Sequence, residues 1–279
     1  MKKLILLFTI PHIFGDCNGQ KNENIIKSEE IIYYKFDDNN NLVRRNGIGY
    51  DEFNTYNEQG KIQERSILIW NDFTKKDEVI LIEKYHYHKD TSLVKTERFD
   101  ISGEKYGEIE NLYNQSNLLE KTITHSFENG KEVFKQNVSF YKIFEYGSKS
   151  EKAKVYGYDE ASKDFKLIYT EISTFDDRQN LKEKKLIDPK NEVYEINDYV
   201  YNENQQVIEK NQKLRFPSKI NYSYNSNKDI EKWTYTSEDY KGETVYTYTY
   251  KYDDKGNWIE KKETCDNEKY LIKRKLEYY

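Results

Sequence analysis

Tyr250-Lys251-Tyr252-Asp253-Asp254-Lys255-Gly256-Asn257-Trp258-Ile259-Glu260-Lys261 is the clearest copy of a pattern that runs through the whole chain. An aromatic residue is followed by Asp, then a Gly- or Asn-containing stretch, then an apolar residue six positions after the aromatic. Here that pair is Tyr252/Trp258. The same order recurs at Phe36/Leu42, Tyr56/Ile62, Tyr87/Leu93, Tyr113/Leu119, Phe127/Val133, Phe175/Leu181, Tyr201/Val207 and Tyr224/Ile230, giving nine copies. Phe99/Tyr106 and Tyr158/Phe165 are looser copies with one extra residue.

Each copy reads as a β-hairpin. The aromatic ends a strand, and the Asp or Asn after it (Asp37, Asn57, Asn114, Asp176, Asn202, Asn225, Asp253) starts a turn by bonding its own backbone. Gly60, Gly130 and Gly256, or a nearby Asn, supply the positive φ that such loops need. The apolar residue then returns opposite the aromatic as a cross-strand pair. Two positions further on, every copy is charged: Arg44, Glu64, Lys95, Lys121, Lys135, Glu183, Glu209, Lys232 and Glu260. Residues two apart on a strand share a face, so a narrow apolar band near the turns is expected, with charged ladders running away from it. Pro189 and Pro217 fall between copies, and Tyr141 to Lys154 is the least patterned stretch, readable as a linker.

Composition agrees with strands. The chain has 279 residues, 27 Tyr and 13 Phe, but only two alanines, Ala153 and Ala161. Without the best helix former a helical protein is excluded in practice. Mean hydropathy is −1.05 and 34% of residues are charged. That would border on disorder, were it not for a net charge of only −5 and an aromatic share of 15%.

Segments such as YKYDDKGNWIEK, TYNEQGKIQERS and VYNENQQVIEKN resemble YD repeats, the building unit of RHS-type bacterial proteins. Large members of that family wind many more repeats into a shell around a toxin, with a self-cleaving protease segment near its end. The repeats here run close to Tyr279 and leave no room for such a cargo. The resemblance implies strands of the same type in an all-β antiparallel meander. About ten irregular hairpins, too few to close a shell, are expected to form an extended twisted sheet or open barrel.

Residues 1–19 form an export signal, with Lys2 and Lys3 ahead of a short apolar run from Leu4 to Ile10. Cys17 stands where bacterial lipoprotein signals carry their lipidated cysteine, and cleavage after Gly19 is the competing site. Residues 20–279 then form a single domain. The expected location is an outer-membrane or cell-surface lipoprotein, or a periplasmic or secreted protein. Cys265 is the other cysteine, so cysteines alone build no disulfide framework or zinc site.

Tyr246, Tyr248, Tyr250 and Tyr252 alternate with Thr247, Thr249 and Lys251, which puts four phenols on one face of one strand. With Trp258 and Trp233 they form a candidate platform for sugar rings or a protein partner. The competing reading makes the stripe the core face of the sheet, and exposure of the rings discriminates the two. His86 and His88 share a strand face and could hold zinc only if a third ligand such as His125 converged; a solvated pair is the better reading. The acidic pairs Asp37-Asp38, Asp176-Asp177 and Asp253-Asp254 read as turn residues before they read as catalytic or calcium-binding carboxylates.

No nucleophile elbow, P-loop or dinucleotide fingerprint is present. The acidic balance disfavours nucleic acid. The sequence therefore points to a non-enzymatic envelope protein without a cofactor, binding carbohydrate or another envelope protein. An envelope polysaccharide hydrolase and an immunity-type inhibitor that adds strands edge to edge are the alternatives.

Overall fold

The computed structural model describes residues 25–37, 39–44, 50–89, 92–134, 139–266 and 268–279, with backbone only at 240 and 241. The export signal and Cys17 lie outside the described residues. The described chain is built from β-strands: β1 (Ile26–Phe36), β2 (Leu42–Arg44), β3 (Asp51–Tyr56), β4 (Ile62–Asn71), β5 (Lys76–His88), β6 (Ser92–Phe99) and β7 (Lys105–Tyr113). Next come β8 (Leu119–Glu128), β9 (Lys131–Val133), β10 (Phe140–Tyr146), β11 (Ser150–Asp159), β12 (Asp164–Phe175), β13 (Leu181–Ile187) and β14 (Val193–Tyr201). The chain ends with β15 (Val207–Leu214), β16 (Ser218–Tyr224), β17 (Ile230–Ser237), β18 (Tyr240–Tyr252), β19 (Trp258–Cys265) and β20 (Glu268–Tyr278). The stretch expected as a linker is β10 with the first half of β11.

All pairings are antiparallel, and they close. β1 pairs with both β3 and β20, β8 pairs with β10, and the other long strands pair in chain order. β2 and β9 are three-residue strands attached to β1 and β8. Twenty strands less these two leaves an eighteen-stranded barrel. The open sheet expected from sequence is thus corrected to a closed ring. Closure rests on the β1–β20 ladder, nine residue pairs from Ile26↔Tyr278 to Lys35↔Tyr270. Its physical return is that, among the described residues, none of the eighteen long strands is left as an edge with a row of unpaired N–H and C=O groups.

Eight of the nine aromatic–apolar pairs form directly across a hairpin, as at Tyr56↔Ile62, Tyr201↔Val207 and Tyr252↔Trp258. The ninth is corrected. Asn129 and Gly130, both at positive φ, make a two-residue turn, so Phe127 faces Glu132 and Val133 faces Ser126. Many of the other turns share one cage. In Asn57, Asp100, Asn114, Asp176, Asp188, Asn225 and Asp253 the side-chain Oδ1 accepts the backbone N–H groups two and four residues on. The residue three on takes positive φ, as at Gly60, Asn117, Gln179, Lys228 and Gly256. Asp188 lacks an aromatic before it, yet Ile187↔Val193 obeys the same offset.

A register shift follows each of these turns, for instance between Thr55 and Tyr56 and between Lys251 and Tyr252. This bulge overturns the expected charged ladders. Tyr56 faces Ile62 while Thr55 faces Glu64, so Glu64 points to the opposite side from the apolar pair. The same reversal moves Lys95, Lys121, Glu183, Glu209, Lys232 and Glu260.

Following direct partners around the ring gives two consistent faces. One carries seven of the nine motif aromatics: Tyr56, Tyr87, Tyr113, Phe175, Tyr201, Tyr224 and Tyr252, joined by Tyr146 and Tyr278, ring one end of the barrel on alternate strands, whereas Phe36 and Phe127 lie on the other face. Most fully buried side chains also lie on this tyrosine face, among them Glu29, Glu83, Val155, Ile220 and Ile272. The opposite face carries Lys154, Glu209, Lys232, Lys251, Glu260 and Lys273.

Phenol groups tie one hairpin to the one before. Tyr113, Tyr146, Tyr201 and Tyr224 donate to the backbone carbonyls of Leu93, Leu119, Leu181 and Val207 at 2.9, 2.8, 2.9 and 2.6 Å. Each acceptor is the apolar residue of an earlier copy. This explains Tyr over Phe in the motif, because Phe fills the ring position but cannot make the bond.

Candidate binding face

The candidate residues come together on the tyrosine face of β17–β19. Trp233 faces Tyr246, and Tyr252 faces Trp258. Tyr246, Tyr248, Tyr250, Tyr252, Trp233 and Trp258 are all half-buried, whereas Thr247, Thr249 and Lys251 between them are exposed. The stripe is thus neither a dry core nor a fully solvent-facing platform.

The rings are fixed in place. Trp233 stacks on Tyr246 with centroids 4.0 Å apart and planes 5° from parallel. Tyr248 and Tyr250 follow at 6.5 Å, and Tyr250 and Tyr252 at 5.9 Å. Trp233 Nε1 donates to Tyr248 Oη at 2.8 Å, and Tyr250 Oη donates to the Ile230 carbonyl at 2.8 Å. Tyr252 Oη donates to Asp229 and accepts from Asn225 Nδ2, both at 2.8 Å. Burial pushes the Tyr246, Tyr248 and Tyr250 phenols well above the usual range, so they act as neutral hydrogen-bonding groups. On β14 and β16 burial pushes Tyr199 and Tyr224 up to about 12.

Charged residues on the same face were missed by sequence reasoning. Lys261 faces Tyr250, with Nζ 5.0 Å from the Tyr248 ring and 5.9 Å from the Trp258 ring. Arg274 lies on the Trp258 ring at 5.0 Å and donates from Nε to buried Glu29 at 2.6 Å. Glu29 also accepts from Asn54 Nδ2 at 2.9 Å and from Tyr56 Oη. Simple alternation from Trp258 would have put Glu260, not Lys261, beside the tyrosines; the bulge reverses them. Lys261 lies inside the motif itself, so a bulge-corrected register is the signal that could have found it.

The other candidates separate. His86 contacts Glu97 at 2.9 Å on β5, whereas His125 on β8 contacts Glu132 at 2.7 Å. Asp37, Asp176 and Asp253 occupy their turn cages, and the hydrogen bonds they accept there lower their pKa. Asp38 lies outside the described residues. Cys265 ends β19 as a half-buried free thiol, pushed up by burial.

No protein-family model matches this chain, and no curated protein matches it in sequence. Among solved structures, a porin-like protein from Bacteroides uniformis is similar with a TM-score of 0.49 and 10% identity, over 90% of this chain and 96% of that one. A porin-like protein from Bacteroides vulgatus gives 0.33 and 10%, over 89% and 98%. The TcdB2-TccC3-TEV structure gives 0.30 and 10%, over 86% of this chain but 19% of that one. None of these likenesses is close enough to carry an activity across.

Proposed function

We propose that this chain is an exported envelope barrel that stands in water, tethered through Cys17, and works by binding carbohydrate rather than by catalysis. The observation that carries the reading is the gathering of Trp233, Tyr246, Tyr248, Tyr250, Tyr252 and Trp258 on one half-exposed face, with ring orientations fixed by stacking and hydrogen bonds. Preorganised rings with polar tips suit sugars, whose faces are apolar and whose edges are hydroxyls.

Charge on both faces supports the aqueous setting. A lipid-spanning barrel needs an outward apolar band. Here the tyrosine face carries Glu29, Arg65, Glu83, Lys142 and Glu171, and the other face carries Glu97, Lys154, Glu209 and Lys232. Eighteen strands lie in the size range that leaves an aqueous lumen.

The test is a glycan array with wild type, Tyr248→Ala and Trp258→Ala. Wild-type binding that each variant weakens at least tenfold supports the reading; no binding by wild type refutes it. Lipid labelling of cells expressing wild type or Cys17→Ala tests the tether, and equal labelling of the two would refute it. Mature chain that remains soluble without detergent supports the aqueous barrel, whereas a detergent requirement would favour a membrane-spanning one.

A further inference from the structure

Lys261 is a cation placed among aromatic rings without an anion of its own. Its Nζ lies 5.0 Å from the Tyr248 ring and 5.9 Å from the Trp258 ring. Among the described residues no carboxylate lies within ion-pair distance of it. Glu263 and Asp229 are the nearby acids. Glu263 faces Tyr248 one pair further along the ladder, and Asp229 accepts from Tyr252 Oη. Arg274, on the Trp258 ring, is satisfied by Glu29 at 2.6 Å.

Two other lysines on this face have a carboxylate in direct contact. Lys142 and Lys184 share Glu171, at 3.2 and 3.1 Å. A half-buried ammonium set against ring faces, with its nearest carboxylates outside contact distance, gives up hydration for weak attraction, and an arriving anion would recover the difference.

We infer that the aromatic face of β17–β19 selects acidic sugars: the sugar ring packs on Trp258 and Tyr250, and its anionic group pairs with Lys261 Nζ. This rests on the carbohydrate reading above and narrows it to polyanionic glycans. Carboxylated and sulfated sugars offer the same chemistry to an ammonium. Burial depresses the Lys261 pKa, consistent with a group short of countercharge.

The experiment is titration of the mature protein with polygalacturonate, its fully methyl-esterified form, a neutral galactan and a sulfated galactan. Wild type should bind polygalacturonate or the sulfated polymer at least tenfold more tightly than the uncharged two, and the tighter acid identifies the anion. Lys261→Met should abolish that preference with an unchanged melting temperature, and Lys261→Arg should retain it. If the esterified and acidic forms bind equally in wild type, the acidic preference is wrong and the carbohydrate reading stands. If acidic polymers bind but Lys261→Met keeps the preference, Lys261 is not the anion partner. If none of the four polymers binds, the acidic preference is wrong, and if the glycan array is also blank the carbohydrate reading fails with it.

Discussion

The phenol of Tyr113 donates to the backbone carbonyl of Leu93, 2.9 Å away and 20 residues earlier in the chain. Tyr201 stands in the same relation to Leu181. These bonds join two of the hairpins to earlier ones at one rim of the barrel. Tyr113→Phe and Tyr201→Phe should each cost about 1 kcal/mol in urea unfolding, the net worth of one hydrogen bond. Tyr87→Phe, where no such bond forms, should change stability by less than about 0.5 kcal/mol. Equal losses at all three positions would mean that ring packing, not the bond, sets the preference for tyrosine.

The turn cage makes a second prediction. Asn225 accepts the backbone N–H groups of Asn227 and Asp229 and donates to Tyr252 Oη. Asn225→Ala should destabilise the protein by about 1–2 kcal/mol. Lys228 in the same loop sits at φ 69°, where a side chain is strained. Lys228→Gly should therefore be neutral or stabilising by up to about 1 kcal/mol, despite the added chain entropy.

The closing seam depends on a buried charge. Glu29 on β1 is 5% exposed and is held by Arg274 of β20 and by Asn54 and Tyr56 of β3. Glu29→Ala leaves the half-buried Arg274 guanidinium without its carboxylate and should cost about 2–4 kcal/mol. Hydrogen exchange should then accelerate along β1 and β20 before it does so in β12–β14. Uniform acceleration would mean that the seam is no weaker than the rest of the ring.

Acid should loosen the barrel in a defined window. Burial works to raise the Glu97 pKa, but hydrogen bonds from Lys105, Lys95 and His86 outweigh it and bring the carboxyl from 4.5 down to about 2. A folded-state pKa below the unfolded one contributes stability above the unfolded value, and this is lost as pH falls through the folded value. The contribution of Glu97 is thus complete above about pH 5 and disappears toward pH 2. Melting temperatures of Glu97→Gln should converge on wild type across that interval. A constant gap between the two would refute the assignment.

Local chemistry was legible without coordinates. The offset of six, the Asx residue and the residue at positive φ lie within one short stretch, so Tyr56↔Ile62 or Tyr252↔Trp258 follows from turn geometry alone. The bulge after each turn was not legible, because alternation counted along a strand assumes an unbroken ladder. One extra residue therefore exchanged the faces of Glu260 and Lys261. Closure was still less accessible. Tyr33↔Ile272 joins residues at opposite ends of the chain, and nothing local to either marks the other. The hairpins, the strand type and the aromatic stripe are written in residues close together in the chain, and so can be read there. That the meander closes, and that Lys261 and Arg274 meet the stripe, emerges only on folding, because both depend on register accumulated around the whole ring.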